Sequence, residues 1–324
     1  MEVIQVFDRP ASRSCYTVAG RFLFVDVLNH RLAQLIESLF AGWQLTPVAA
    51  PIASLNRDAE IAIRFDSAGI EPEIPPTLNK FDIADGGACY TGADGYYLRF
   101  NNSLLRLRQS VPVQVDVWVR EVPESADAEL ARVTSFAVCA ALRRFGLFDL
   151  HSAAVVEPTG KGVLIVGPSG SGKSTLTYQL AAAGWSYLSD DEVLLSLNGD
   201  DVEARGFRSF FAMRDVAAAG SLAFRNIFEP ANVFSAPRRS HVVPARILFT
   251  SVSGESETRI AQLTQPETMT RLIRACPWAT YDTVVAGANL KLLSRLVRQA
   301  QGFDLAAGKD LLEPGRAAEL LTQN

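Results

Sequence analysis

The sequence predicts an α/β (α+β) chain in two parts: a smaller β-rich N-terminal domain over 1–124 and a core with a mixed sheet over 125–324. Three observations predict it. Much of the first part alternates in the strand manner, as in "VPVQVDVWVR" (111–120), with Gly, Asp and Asn turns between the runs. Further on, the apolar run "GVLIVG" enters a glycine-rich turn that leads straight into a helix. The remainder interleaves apolar strands with amphipathic helices, as expected of helices packed on a sheet.

In chain order, "SCYTVAG" and "RFLFVDV" are strand-like runs around Gly20. "NHRLAQLIESLFAG" then carries Leu32, Leu35, Ile36 and Leu39 at helical spacing, with Asn29 as N-cap and Gly42 after the end. "AEIAIRFD", "GYYLRFNN", "SLLRLRQ" and "VPVQVDVWVR" read as strands, and "PEIPPT" and "GADG" as loops. A long helix follows, with Ser125 as N-cap and Gly146 as stop, and the domain boundary is placed at its start. Next come strand "HSAAVVE", turn "PTGKG", strand "VLIVG", the glycine-rich loop, helix "KSTLTYQLAAAG" and strand "WSYLS". "EVLLSL", "NGD" and "VEARGF" form a hairpin, and "ARILFTSV" is a buried strand. Helices near 267–275 and 282–301, a strand "FDLAAG" and a last short helix from Arg316 complete the chain.

At 324 residues the chain can hold two cores of ordinary size. A hydrophobic content of 48% with 20% charged residues fits a globular protein and argues against extensive disorder. A net charge of −4 disfavours a nucleic-acid partner, which needs a basic surface. Cys15, Cys89, Cys139 and Cys276 are scattered, without a C-x-x-C pair, which suits a reducing compartment. No apolar run is long enough to span a bilayer and the N-terminus lacks the pattern of a secretory signal. The expectation is a cytoplasmic protein without a membrane partner.

The stretch Gly167, Pro168, Ser169, Gly170, Ser171, Gly172, Lys173, Ser174 satisfies G-x-x-x-x-G-K-[ST] and lies between strand and helix, where that motif works. Its glycines let backbone N–H groups turn toward nucleotide phosphates, helped by the positive end of the helix that continues through Thr175. Lys173 would reach the β- and γ-phosphates, and the Ser174 hydroxyl would be a magnesium ligand. ATP and Mg2+ are therefore the expected cosubstrate and cofactor.

Asp190 and Asp191 follow "WSYLS" directly. That strand should end beside the loop in a β-α-β unit, which places both carboxylates at the phosphates. One can assist magnesium while the other accepts a proton from an attacking hydroxyl. Glu203, in the returning arm of the hairpin, is a further candidate metal ligand. His151 opens the strand that pairs with the loop's own strand.

Together, "LHSAAVV…GVLIVGPSGSGKSTLTYQLAAAGWSYLSDDEV…VEARGF" resembles the HPr kinase/phosphorylase family over roughly 151–208. The resemblance implies a P-loop core of the phosphoenolpyruvate-carboxykinase type and phosphate transfer to a serine of a protein. It makes Asp191 the proton acceptor with Asp190 as the near alternative, Lys173 the phosphate clamp, Ser174 and Glu203 metal ligands, and His151 an active-site residue. It also implies an active-site arginine, for which "PRRSHVVPAR" offers Arg238, Arg239 and Arg246. The segment "EARGFRSFFAMRD" departs from the family's E-x-R-G-x-G continuation, so the resemblance carries the forward transfer and not the reverse phosphorolysis. The β-rich domain ahead of such a core looks more like the related kinases of peptide-modification clusters, including those that phosphorylate lasso-peptide precursors. The acceptor is thus expected to be a peptide or small protein, and a homo-oligomer is expected by analogy. Alternatives are an HPr protein kinase, a small-molecule kinase on the same core, and a nucleotide-dependent switch without transfer.

Overall fold

The computed structural model describes residues 10–49, 60–83, 87–92, 95–214 and 225–323. The chain is a mixed α/β protein whose Cα positions fall into two compact units, Met1–Phe145 and Gly146–Asn324.

The first unit is built on nine strands: β1 (Ser12–Val18), β2 (Arg21–Val27), β3 (Thr46–Pro47), β4 (Ile61–Asp66), β5 (Asn79–Ile83), β6 (Gly87–Gly92), β7 (Gly95–Arg99), β8 (Ser103–Arg108) and β9 (Val113–Val119). They form one sheet in the order β3-β1-β2-β4-β9-β8-β7-β6-β5. The period-2 pattern is visible in β9, whose Val115, Val117 and Val119 are buried while Gln114, Asp116 and Trp118 are less so. Helix α1 (His30–Ala41) starts at Asn29, whose side chain accepts from Leu32 N at 3.0 Å, and closes at Gly42. Residues 93 and 94 of the loop read at 92–95 lie outside the described residues.

Helix α2 (Ala128–Arg143) packs on β8 and β9. It therefore belongs to the first unit, and the division falls after it rather than at its start. Its N-cap is Asp127, not Ser125: the carboxylate accepts from Leu130 N at 2.7 Å, a stronger cap because it is charged.

The second unit opens with β10 (Phe148–Leu150), β11 (Ser152–Val156) and β12 (Gly162–Val166), followed by α3 (Lys173–Ala182) and β13 (Ser186–Ser189). A hairpin of β14 (Val193–Asn198) and β15 (Asp201–Gly206) precedes the short pair β16 (Phe211–Arg214) and β17 (Arg225–Phe228). Then come β18 (His241–Val242), β19 (Pro244–Val252) and β20 (Arg259–Gln262). The chain ends with α4 (Gln265–Ala275), α5 (Trp278–Tyr281), α6 (Thr283–Gln299), β21 (Gln301–Ala307) and α7 (Arg316–Gln323).

Six of these strands form the central sheet, in the order β13-β11-β12-β19-β21-β20. Its core joins Val155, Val163, Ile165 and Leu248 of the strands to Leu176 and Leu180 of α3 and to Ala317 and Leu321 of α7. The sheet is mixed: β12, β19 and β21 are parallel, while β11 runs antiparallel to both β12 and β13. The β12-α3-β13 crossover thus returns a parallel strand, but β11 lies between, so β13 is not beside the loop's own strand. Of the aromatic pair after the hairpin, Phe211 is buried with Tyr187 and Phe234, whereas Phe210 lies at the surface.

Candidate functional site

The inserted strand sets the site. β12 ends at Val166, paired with Ser152 at the start of β11, and β13 ends at Ser189, paired with Ala154. The loop after β12, the residue before β11 and the aspartates after β13 all leave the sheet at one edge. His151 stands between the other two groups because its strand stands between theirs.

The loop is shaped by tight packing at one glycine and by handedness at two. A Cβ on Gly167 would lie 2.4 Å from Ser171 Oγ and 2.8 Å from the Thr250 carbonyl oxygen. Gly170 and Gly172 have φ of 85° and 91°, where side chains are disfavoured. Ser171 N donates to Pro168 O at 3.2 Å, and the Ser171 and Thr250 hydroxyls share a hydrogen bond of 3.1 Å that ties the loop to β19. Helix α3 begins at Gly172 with no side-chain cap, so its first amides are offered to an anion. Ser174 and Thr175 are half-buried in the first turn, while Pro168, Ser169 and Gly170 form the exposed crest.

Lys173 is buried and its ammonium meets three acceptors: Gly167 O at 2.6 Å, Pro168 O at 3.1 Å and His151 Nε2 at 3.0 Å. On the other edge of the ring, His151 Nδ1 lies 3.4 Å from Asp191 Oδ1. These contacts assign the tautomer: Nε2 carries the lone pair that Lys173 donates to, and Nδ1 carries the hydrogen facing Asp191. Burial lowers the pKa of His151 below its usual value, and the Lys173 and Arg208 charges act the same way, with Asp191 opposing them. The ring is therefore neutral near pH 7.

The two aspartates differ. Asp190 is 3% exposed and faces the Tyr187 hydroxyl, which lies 3.4 Å from its Oδ1 and 3.2 Å from Phe210 O. Burial and the nearby Asp190 charge raise the pKa of Tyr187, which keeps the phenol as a donor. The Asp191 side chain is 45% exposed and can meet an incoming group. Ser189 Oγ donates to Glu192 O at 2.7 Å and holds the turn that presents both.

Glu203 is not gathered into this group. It is buried, its Oε1 paired with Arg205 at 2.5 Å and its Oε2 accepting from Asn198 at 3.2 Å, so it braces the hairpin toward its turn. Among the described residues, no three of the ligand atoms of His151, Asp190, Asp191 and Glu203 converge. Ser174 and Asp190 carry hard oxygen donors of the kind that suits magnesium, and the Glu203 oxygens bind Arg205 and Asn198.

The arginines also separate. Arg246 pairs with Glu157 at 3.2 Å and donates to Leu321 O of α7. It aligns with Val163 at the entry of β12, about 10 Å of strand from the loop, so its job is structural. Arg239 is exposed and its backbone N donates to Tyr187 O at 2.9 Å. Arg238 donates to Arg208 O at 3.1 Å and its charge reaches Tyr187 beside Asp190. Sequence reasoning missed Arg208. It pairs with Glu192 at 3.0 Å and lies close enough to His151 to lower its pKa. Its position just past E-x-R-G, one residue after Phe207, was the only signal for it.

All four cysteines are buried free thiols. Among the described residues no helix is long and apolar enough to cross a membrane.

No family model and no curated protein matches the chain. Among solved structures it matches the HPr(Ser) kinase/phosphatase from Coxiella burnetii at 19% identity, over 31% of this chain and 58% of that one, with a TM-score of 0.25. The chain thus spans a little over half the length of that enzyme. At this TM-score the likeness carries no argument, and the functional reading rests on the residues above.

Proposed function

We propose that the chain is a nucleotide-dependent phosphotransferase: an ATP-dependent kinase that delivers the γ-phosphate to a serine hydroxyl of a peptide or small protein. One observation carries this reading, the line Asp191–His151–Lys173 that joins an exposed carboxylate to the lysine of a phosphate-binding loop. A nucleotide sensor needs the loop and the lysine but has no use for a carboxylate linked to them.

In this reading the loop amides and Lys173 hold the β- and γ-phosphates, Lys173 giving up one of its carbonyl acceptors to do so. Neutral His151 keeps the ammonium and the Asp191 carboxylate in a fixed relation. The acceptor hydroxyl attacks the γ-phosphorus, its proton passes to Asp191, and the bond to the β-phosphate oxygen breaks to release ADP. Magnesium, when bound with the nucleotide, supplies charge neutralisation, and Ser174 and Asp190 are the residues that would hold it. A ribosomal precursor peptide of the lasso type is the acceptor the sequence resemblance favours.

The test is intact-mass spectrometry of serine-containing acceptors, a precursor peptide encoded beside this gene and an HPr-type protein, after incubation with the protein, ATP and magnesium. A phosphate-sized gain that vanishes with Asp191→Asn is expected. Tight ATP binding with no gain on either acceptor would sink the serine-kinase reading.

A further inference from the structure

A cleft of about 170 Å³ opens on the side of the phosphate loop away from His151. Ser171, Gly172 and Thr175 line it on the loop side, buried Leu305 lies within it, and Gly308, Lys309, Leu311 and Leu312 form the other wall. Two large apolar side chains at its rim, Val252 and Leu312, are each 62% exposed. Exposed apolar groups flanking a slot beside a phosphate site are what a flat ring system covers. The volume is below the ~300–1,000 Å³ of pockets that enclose a whole ligand, and so fits one part of it.

The wall's backbone amides are already used. Gly308 N donates to Thr258 Oγ1 at 3.0 Å, Lys309 N to Glu255 O at 2.9 Å, and Asp310 N to Ser256 O at 3.0 Å. Asp310 in turn accepts from Thr258 Oγ1 at 2.6 Å. A Cβ on Gly308 would lie 2.4 Å from the Glu257 carbonyl carbon, so the two backbones touch. On the loop side the Ser171 and Thr250 hydroxyls bond each other. The wall's amides cannot read the edge of a base without giving up bonds within the protein.

We infer that this cleft seats the base of the nucleotide whose phosphates lie on the loop, by apolar contact, and that it takes purine and pyrimidine bases alike. The inference rests on the phosphotransferase reading for the position of the phosphates. Base tolerance follows because strong discrimination needs fixed polar groups that go unpaired against the wrong base: the wall's amides at 308–310 are paired within the protein, and the Lys309 ammonium and Thr175 hydroxyl that also line the cleft are rotatable donors that find an acceptor on any base.

Equilibrium binding of ATP, GTP, CTP and inorganic tripolyphosphate, each with magnesium, tests it on the full chain and on Val252→Asp and Leu312→Asp. Both substitutions lie on the exposed rim; Val252 lies against Gly172 of the loop, so Leu312→Asp carries the comparison with tripolyphosphate. The expected result is that the three nucleotides bind within about fivefold of one another and more tightly than tripolyphosphate. Each variant should then lose about tenfold for every nucleotide, while tripolyphosphate affinity of Leu312→Asp stays within about twofold. Variants that leave nucleotide affinity unchanged, or a hundredfold preference for one base, would overturn the inference and leave the phosphate site standing. If tripolyphosphate itself fails to bind, the phosphate-loop reading falls, and this inference with it.

Discussion

His151 accepts a hydrogen bond from Lys173 at 3.0 Å, so the residue before β11 and the first residue of α3 are tied across the edge of the sheet. The bond requires a lone pair on Nε2 and therefore a neutral ring. Because the pKa of His151 in the folded chain lies below its ordinary value of about 6.5, the unfolded chain takes up this proton first as pH falls. The stability contributed by the neutral ring is full above that ordinary value and is lost as pH falls through the lower, folded one. We expect transfer activity to fall on an acid limb below about pH 6.5, and the limb to shrink in His151→Gln. A pH profile of kcat for both proteins checks it, and identical limbs would refute the assignment.

Asp191 and the Tyr187 hydroxyl beside Asp190 should fail in different ways. Asp191→Asn removes the proposed proton acceptor and should lower kcat by about 10²–10⁴-fold with little change in thermal midpoint. Tyr187→Phe instead removes a buried donor beside Asp190 and should cost about 1 kcal/mol of stability, a few degrees in midpoint. Calorimetry alongside single-turnover kinetics separates the two effects.

Two glycines of the loop make a second contrast. Gly167→Ala drives a Cβ against Ser171 Oγ and the Thr250 carbonyl, a backbone atom that cannot swing aside. Nucleotide binding should be lost, with about 1–3 kcal/mol of destabilisation. Gly170→Ala meets open space and carries only the cost of its positive φ, about 1–2 kcal/mol. Tripolyphosphate titration of both variants, with chemical denaturation, gives the comparison.

The arginines provide a third. Arg246→Ala breaks the links to Glu157 and to α7, and should lower stability while leaving kcat of the folded protein unchanged. Arg208→Ala should do the reverse, lowering kcat by up to about 10²-fold by releasing Glu192 and the turn that presents Asp191. Equal kcat for Arg208→Ala and the parent would remove Arg208 from the site.

The elements whose local signals agree were legible in the chain: the loop between an apolar strand and a helix, the hairpin of β14 and β15, and the Asn29 cap. His151 was legible as the start of a strand pairing with the loop's strand, and it lies one residue before that strand begins. The insertion of β11 between β12 and β13 was not legible, because it is a choice among pairings of distant segments that no local period records. The partners of charged groups were opaque for a similar reason. Glu203 is a site candidate by its place in the hairpin and Arg246 through the family resemblance, and only the folded chain shows that their charges are met by Arg205 and Glu157. Asp127 outcompeting Ser125 as a cap is a matter of two residues, within the uncertainty of any helix start.

The hairpin of β11 and β12 has one end at the site and the other at the turn Glu157–Lys161, where residues 158–160 are exposed and Glu157 and Lys161 close the backbone at 2.9 Å. His151 is positioned by strand register, so a change in the length of that turn is absorbed at the far end of the two strands. The turn is accordingly a place to graft a fluorophore-bearing tag or an affinity handle, giving a reporter on the second unit that leaves the candidate site at the opposite end of the strands alone.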